Sequence, residues 1–348
     1  MKTAAVAGLG AAARLIHLPA LASAGLRVVG GCDPAVRAGE VAVPALFDSP
    51  ARMLEETRPD LLVVATPPES HHALTRLGLR AGCHVLCEKP FMSTLAEADD
   101  ICGLSREVGR FVVVNNQYRF MDIHRAARER IGAPEFGDLL FLSAEQTFYT
   151  TPETEAGWRG SEKERTGREF GTHVLDLCRF FFAADPLAVD ARMPRGDRPD
   201  GPDALVLIRL EFPGDRVAQV TLDRLSRGRH RYLEIRLDGT AGCMETRLGG
   251  GIEVAAGVRG GVRRPYLHLD ASLGGRARLY HGERFRRIAS EPLDTFAAAT
   301  ARLLRAFRSA LAAGIAPPCN AEDNRRTLAL MLAAYESHRR RAPVAMKY

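Results

Sequence analysis

Along the first third of the chain, short apolar runs alternate with stretches in which apolar residues recur three and four positions apart. Residues 2–7 (Lys-Thr-Ala-Ala-Val-Ala), Arg27–Cys32, Ala45–Phe47, Leu61–Ala65, the run closing at Cys87, and Phe111–Asn115 read as buried strands. The intervening periodicity predicts helices ending at Ala24 and covering Pro50–Thr57, Ala73–Ala81 and Leu95–Val108. Strand and helix alternating from residue 2 to about residue 115 predict an α/β domain with a parallel, doubly wound sheet.

The period changes after Asn116. A helix near Met121–Ile131 is followed by strand-like runs at Leu139–Phe148, Leu187–Met193, Ala204–Phe212, Val217–Leu222, Tyr232–Leu237 and Cys243–Leu248. Turn signals separate several of them: Pro213-Gly214-Asp215, Asp238-Gly239 and Gly249-Gly250-Gly251. Successive strands without helices between them imply an antiparallel sheet. Helices return at Leu293–Ala313, closed by Gly314 with Pro317-Pro318 beyond, and at Glu322–Arg340. The expected division is a parallel α/β domain over residues 1–120 and an α+β domain over residues 121–348. The glycine- and arginine-rich segment Ala255–Arg287 fits neither period and reads as a mobile flap or as ragged hairpins.

Composition narrows the class. A chain of 348 residues is long enough for two cores at roughly 100–200 residues per domain. No apolar run approaches the ~20 residues of a membrane span, and Met1-Lys2-Thr3-Ala4 leads straight into a strand rather than an export signal. The seven cysteines are odd in number and scattered, and Cys83 and Cys87 have no second pair to complete a metal site. Free buried thiols, no metal and a cytoplasmic location are expected. Much of the net charge of +6 comes from arginines between Arg224 and Arg287, dispersed among glycines rather than interleaved with aromatics. That is a solvated surface and not a nucleic-acid site.

Three stretches carry candidate chemistry. Gly8-Leu9-Gly10-Ala11-Ala12-Ala13 lies between a strand and a helix. Gly8 permits a tight turn, Gly10 lets backbone approach a pyrophosphate, and Ala13 allows close helix–strand packing. Asp33 closes the next strand, where a carboxylate accepts from ribose hydroxyls and repels a 2′-phosphate. NAD is therefore favoured over NADP, with Arg37 the complicating neighbour. Thr66-Pro67-Pro68 breaks a strongly apolar strand and forms a rigid loop suited to a nicotinamide pocket, with His71 in the helix that follows.

The second stretch is His84-Val85-Leu86-Cys87-Glu88-Lys89-Pro90. Proline stops the strand, and Lys89 is left at the carboxyl edge of the sheet, where ligands of open α/β sheets sit. A lysine there donates to a substrate oxygen; the plain alternative is a charged strand end in solvent. The third stretch places Glu169 and His173 four apart on one helix. A carboxylate beside an imidazole orients it and raises its pKa, although an ordinary helix pair has the same spacing. Trp158-Arg159 upstream either walls a polar ligand or packs.

The ordered set resembles the Gfo/Idh/MocA family of oxidoreductases over essentially the whole chain. The matching pieces are Gly8–Ala13, His17-Leu18-Pro19-Ala20-Leu21, Asp33-Pro34, Thr66-Pro67-Pro68-Glu69-Ser70-His71 and Gly82–Pro90. Tyr118-Arg119-Phe120, Trp158-Arg159-Gly160 and Gly171–Asp176 complete it. The resemblance implies a Rossmann domain followed by a domain with a large open antiparallel sheet, which often forms a dimer interface. It implies hydride transfer between a nicotinamide cofactor and a sugar, cyclitol or nucleotide-linked sugar. Lys89 then reaches the reacting oxygen and His173 moves the proton. Glu169 stands where the family has aspartate, and Gln117 where an asparagine is usual. Cofactor contacts are expected at Gly8, Gly10, Ala11, Ala12, Ala13, Asp33, Thr66, Pro67, His71, Glu88, Lys89 and Gln117. Substrate contacts are expected at Lys89, Tyr118, Arg119, Trp158, Arg159 and His173. A non-catalytic NAD sensor and a redox-cycling glycosidase are the alternatives within the family.

Overall fold

The computed structural model describes residues 1–37, 39–150, 162–196, 200–228, 231–258, 265–282 and 284–348. Six parallel strands form the first sheet: β1 (Thr3–Ala7), β2 (Arg27–Cys32), β3 (Leu46–Phe47), β4 (Leu61–Val64), β5 (His84–Cys87) and β6 (Val112–Val114). Their order, β3-β2-β1-β4-β5-β6, reverses direction at β1/β4, the kind of switch point where α/β sheets open a crevice. Successive residues of β1 serve different cores, as the two-residue strand period requires. Ala5 and Ala7 pack with Leu62, Val64 and Val85 on one face, whereas Ala4 and Val6 pack with Leu61, Val63 and Leu86 on the other.

Helices cover both faces. After β1, a π-helical turn (Ala13–His17) runs into α1 (Leu18–Ser23); α2 (Pro50–Thr57), α3 (His71–Arg80) and α4 (Leu95–Val108) follow their strands. Ser49 and Thr94 cap α2 and α4 by accepting backbone N–H bonds, which satisfies donors the first turn leaves open. A short 3₁₀ turn (Gln117–Phe120) then leads into α5 (Asp122–Arg128).

The second sheet has nine strands: β7 (Leu139–Thr147), β8 (Ala188–Arg192), β9 (Leu205–Phe212), β10 (Arg216–Asp223), β11 (Arg231–Gly239), β12 (Cys243–Leu248), β15 (Gly275–His281), β16 (Arg284–Glu291) and β17 (Val344–Ala345). All pairings are antiparallel except β7 with β10. β9 alternates buried and exposed residues along its length, so the sheet buries one face and leaves the other open. The buried face packs on α6 (Thr172–Phe182) and α8 (Ala321–Arg340). The described residues of the segment 255–287 lie in or beside strands. β13 (Gly251–Val258) and β14 (Pro265–Ser272) pair as a two-stranded sheet, and β15 and β16 extend the large one. Arg284, Arg286 and Arg287 stand exposed on its last strand, a charged edge that discourages further pairing.

The 120/121 division is not a packing boundary. Leu303, Leu304 and Phe307 of α7 (Thr295–Ala313) complete one core of the first sheet, and Ala321 and Leu328 of α8 complete the other. The Val114 N–H also donates to the Cys319 carbonyl at 2.9 Å. The described cysteines are all free thiols, and no helix among the described residues is long and apolar enough to cross a membrane.

Candidate active site

The carboxyl ends of β1, β2, β4 and β5 open on a cleft of about 1070 Å³. Its end at the exit of β1 is built from backbone. Gly8 has φ +86°, and a Cβ there would lie 2.5 Å from the Ala65 carbonyl oxygen, so the turn admits only glycine. A Cβ on Gly10 would meet nothing within 4 Å; this bare backbone lines the cleft beside Ala11 and Ala12. The Arg14 N–H bonds back to Gly10, so the helical ladder starts here, and the N–H groups of its first turn have no partner within the helix. Ala13 is buried among Val6, Leu9 and Leu21, the packing role of the third small residue.

Asp33 lines the cleft at the end of β2, accepting from the Leu9 N–H at 2.8 Å and the Ala35 N–H at 2.9 Å. Arg37 is exposed and lies outside the cleft lining. Thr66 and Pro67 line the wall, and the Gln117 side chain reaches it from β6's exit. Gln117 is buried, yet its Oε1 has no partner among the described residues. An open glycine cradle, helix-start N–H groups, a placed carboxylate and an orphaned amide oxygen together fit a dinucleotide.

His71 does not belong to that surface. Its ring is fully buried and lies outside the cleft lining, with its nitrogens on the Thr66 and Pro90 carbonyls. The helix-start position predicted from sequence is correct, but the side chain turns inward.

Lys89 leaves β5 at the cleft, and its Nζ donates to the Glu169 backbone carbonyl at 3.0 Å. Glu88 beside it is almost fully buried. Its carboxylate accepts from Asn115 Nδ2 at 2.7 Å and from the Lys89 N–H at 3.1 Å, and meets His17 Nε2 at 2.8 Å. Burial alone would raise its pKa, but the His17 contact, the Lys89 charge and Asn115 outweigh it and hold it at about 2. Thr300 of α7 donates to Asn115 Oδ1 at 3.1 Å, so the C-terminal helix braces this strand end. His17, Asn115 and Thr300 had no assigned role in the sequence. His17 sat in a recognised motif, but partners 71 and 27 residues away left no local signal.

His173 lies in the cleft, stacked on Tyr118 with ring centroids 4.1 Å apart and planes within 3°. Its Nδ1 has no hydrogen-bond partner among the described residues. The expected pairing with Glu169 is not formed: the Glu169 carboxylate accepts from Arg165 Nε at 3.0 Å. Residues Thr166–Gly171 form a π-helical turn, and within it Glu169 takes the partner four residues before it, Arg165, rather than the one four residues after. The pKa expectation reverses with it. Burial first, and the Lys89 charge second, depress the His173 imidazole to about 3.

Tyr118 is buried in the cleft wall, its hydroxyl 3.4 Å from that of Tyr232. Arg119 is not a cleft residue. It forms a buried fork with Asp176 (2.6 and 2.5 Å) and an ion pair with Asp323 (2.8 Å). Trp158 and Arg159 lie outside the described residues. Sequence reasoning missed Phe170, Tyr232 and Phe296, which line the cleft together with Tyr118.

Three imidazoles whose pKa is depressed set an acid limit on stability. His124 and His173 are held neutral at about 4 and about 3, both chiefly by burial, and half-buried His84 at about 4. A depressed folded pKa means the unfolded chain binds more protons between about 4 and 6.5, so stability rises with pH there. His124 and His173 should each lose on the order of 3 kcal/mol by pH 4. Asp203, raised to about 6 by burial, acts in the opposite sense and offsets about one of them, and His71, raised to about 9, adds a smaller opposing gain near pH 6.5. Urea unfolding at pH 7, 5.5 and 4.5 is expected to show a monotonic loss; a flat profile contradicts the neutral-imidazole assignment.

Comparison with known proteins places this geometry. The model described as "Oxidoreductase family, NAD-binding Rossmann fold" matches residues 2–116, and that of the GFO/IDH/MocA C-terminal domain matches residues 124–245. The chain is 26% identical over 313 residues to a D-apiose dehydrogenase of Paraburkholderia graminis, covering 88% of this chain and 78% of that protein. It is 31% identical over 164 residues to a 1,5-anhydro-D-fructose reductase of Ensifer adhaerens, 46% of this chain and 49% of that one. An Agrobacterium radiobacter oxidoreductase, crystallised with NAD+, L-tartaric acid and magnesium, superposes with a TM-score of 0.79 at 17% identity. That match covers 99% of this chain and 98% of the other, and shows a shared fold.

Proposed function

This chain belongs to the Gfo/Idh/MocA family of oxidoreductases, and from that premise we propose that it transfers a hydride between NAD and a carbinol or carbonyl carbon of a sugar, cyclitol or nucleotide-linked sugar. The observation that carries the reading is the convergence of Lys89 and His173 on the cleft that the Gly8–Ala13 turn and Asp33 also line. The sugar substrates named for the apiose and anhydrofructose relatives support the substrate class.

The Gly8–Ala13 backbone would hold the pyrophosphate, Asp33 the ribose hydroxyls, and Thr66, Pro67 and Gln117 the nicotinamide end. When bound, the nicotinamide supplies the hydride acceptor or donor. In oxidation, neutral His173 takes the substrate hydroxyl proton on a ring nitrogen, and in reduction it returns it. The Lys89 ammonium donates to the same oxygen as negative charge develops there. With His173 depressed to about 3, its titration does not limit oxidation between pH 5 and 8. Mixing the protein with NAD and with NADP across a panel of sugars and cyclitols tests the reading. Appearance of reduced nicotinamide with at least one is expected; none with any overturns it.

NAD should bind more tightly than NADP. Replacing Asp33 by Ala removes a charged acceptor, which is expected to weaken NAD by about tenfold or more and to narrow the gap to NADP. Titration of both nucleotides checks this, and equal affinities in the wild type contradict it. Assembly of copies through the open face of the nine-stranded sheet, where Leu207 is exposed, belongs to the same reading; sedimentation of the free protein measures it.

A further inference from the structure

We propose that His71 is a positioning residue whose doubly protonated ring ties the Thr66 carbonyl to the Pro90 carbonyl, holding the lysine-bearing strand end against the loop that lines the nucleotide end of the cleft. The inference rests on the role proposed above for Lys89. His71 Nδ1 lies 2.9 Å from Pro90 O, and Nε2 lies 2.9 Å from Thr66 O. Carbonyl oxygens only accept, and a neutral imidazole has a single N–H. A neutral ring would therefore set a bare nitrogen lone pair against an oxygen lone pair in a fully buried place. Only the imidazolium donates to both.

The two tied carbonyls belong to neighbouring strand ends. β4 and β5 pair in register up to Val64 and Cys87, and each chain then leaves the sheet toward the cleft. Beyond β4, the Ser70 hydroxyl bonds Thr66 Oγ1 at 2.6 Å and the Pro67 carbonyl at 2.9 Å, which makes that loop a stiff body. Beyond β5, Pro90 follows Lys89 directly. A planar ring with two opposed donors sets the spacing between these bodies.

The groups facing the ring favour the charge. Cys87 Sγ of β5 lies within its reach, beside the Thr66 and Pro90 carbonyls. On α3 the next residue, His72, is turned away to Asp100 of α4, as is Arg76. Burial by itself would lower the pKa, but the Cys87 sulfur and the two carbonyls outweigh it and raise it to about 9. This is opposite in direction to His173, His124 and His84.

The test is the protonation state of His71 in the intact protein, read by ¹⁵N chemical shifts with His71→Gln as the assignment control. Both ring nitrogens should carry protons at pH 7.5, where an ordinary histidine is neutral. A neutral tautomer at that pH overturns the proposal. In His71→Gln, amide exchange is expected to rise together in residues 66–70 and 88–93, with kcat falling about 10- to 100-fold and KM changing far less. Faster exchange confined to the first turn of α3, or an unchanged kcat, also overturns it. Titration and exchange need neither substrate nor cofactor, so failure of the dehydrogenase reading and failure of this one are separately visible.

Discussion

Replacing Lys89 by Met should lower kcat by about 10²–10³-fold, the cost of one charged donor to a developing oxyanion, while nucleotide affinity and folding stay near wild type. The side chain is held at a strand end, and its ammonium reaches the Glu169 carbonyl at 3.0 Å across the cleft. Methionine keeps the stem and removes the charge, so the defect should fall on the transition state. Loss of that charge has a second, independent readout. Lys89 is the second cause, after burial, of the depressed His173 pKa. The variant should therefore show a His173 pKa above about 3 and still below 6.5, because burial remains. Kinetics on the best substrate and an imidazole titration by NMR check the two halves. Near wild-type turnover would reduce Lys89 to a strand-end charge.

Arg119→Met is expected to cost about 3–5 kcal/mol of stability at pH 7. The guanidinium pairs with Asp176, which is 1% exposed, and with Asp323, which also binds Arg179. Without Arg119 the Asp176 carboxylate keeps its burial penalty and loses its main counter-charge, and its already raised pKa climbs further. An acid whose folded pKa is raised destabilises the fold most when ionised, so the deficit should shrink as pH falls toward 5. Urea unfolding at both pH values measures it. A variant of full stability with a raised substrate KM would instead return Arg119 to the substrate site.

The same arginine shows why the site was only partly legible. Tyr118-Arg119-Phe120 marks the right loop, but adjacent residues leave a 3₁₀ turn in different directions, and Asp176 and Asp323 are 57 and 204 positions away. Tyr118 reaches the cleft and Arg119 the core between the C-terminal helices. Glu169 makes a similar point: Arg165 and His173 both lie four residues from it, and inside a π-helical turn the carboxylate takes Arg165. No residue in Thr166–Gly171 announces that turn locally.

The sequence by itself determined the elements of the first sheet and the strands up to β12 in their order, because strand and helix periods, glycine turns and prolines act over a few residues and need no distant partner; it did not determine β13–β17. It also determined the backbone geometry at the exits of β1 and β2, since Gly8, Gly10 and Asp33 act through local conformation. Only the tertiary structure decided which way His71 and Arg119 face, that Glu169 binds Arg165, and that His17, Asn115 and Thr300 brace Glu88. It also decided that α7 and α8 complete the cores of the first sheet. These outcomes depend on burial and on partners far apart in the chain. Burial changes the sign of a histidine's pKa shift, and no spacing along the sequence encodes the dielectric around a side chain.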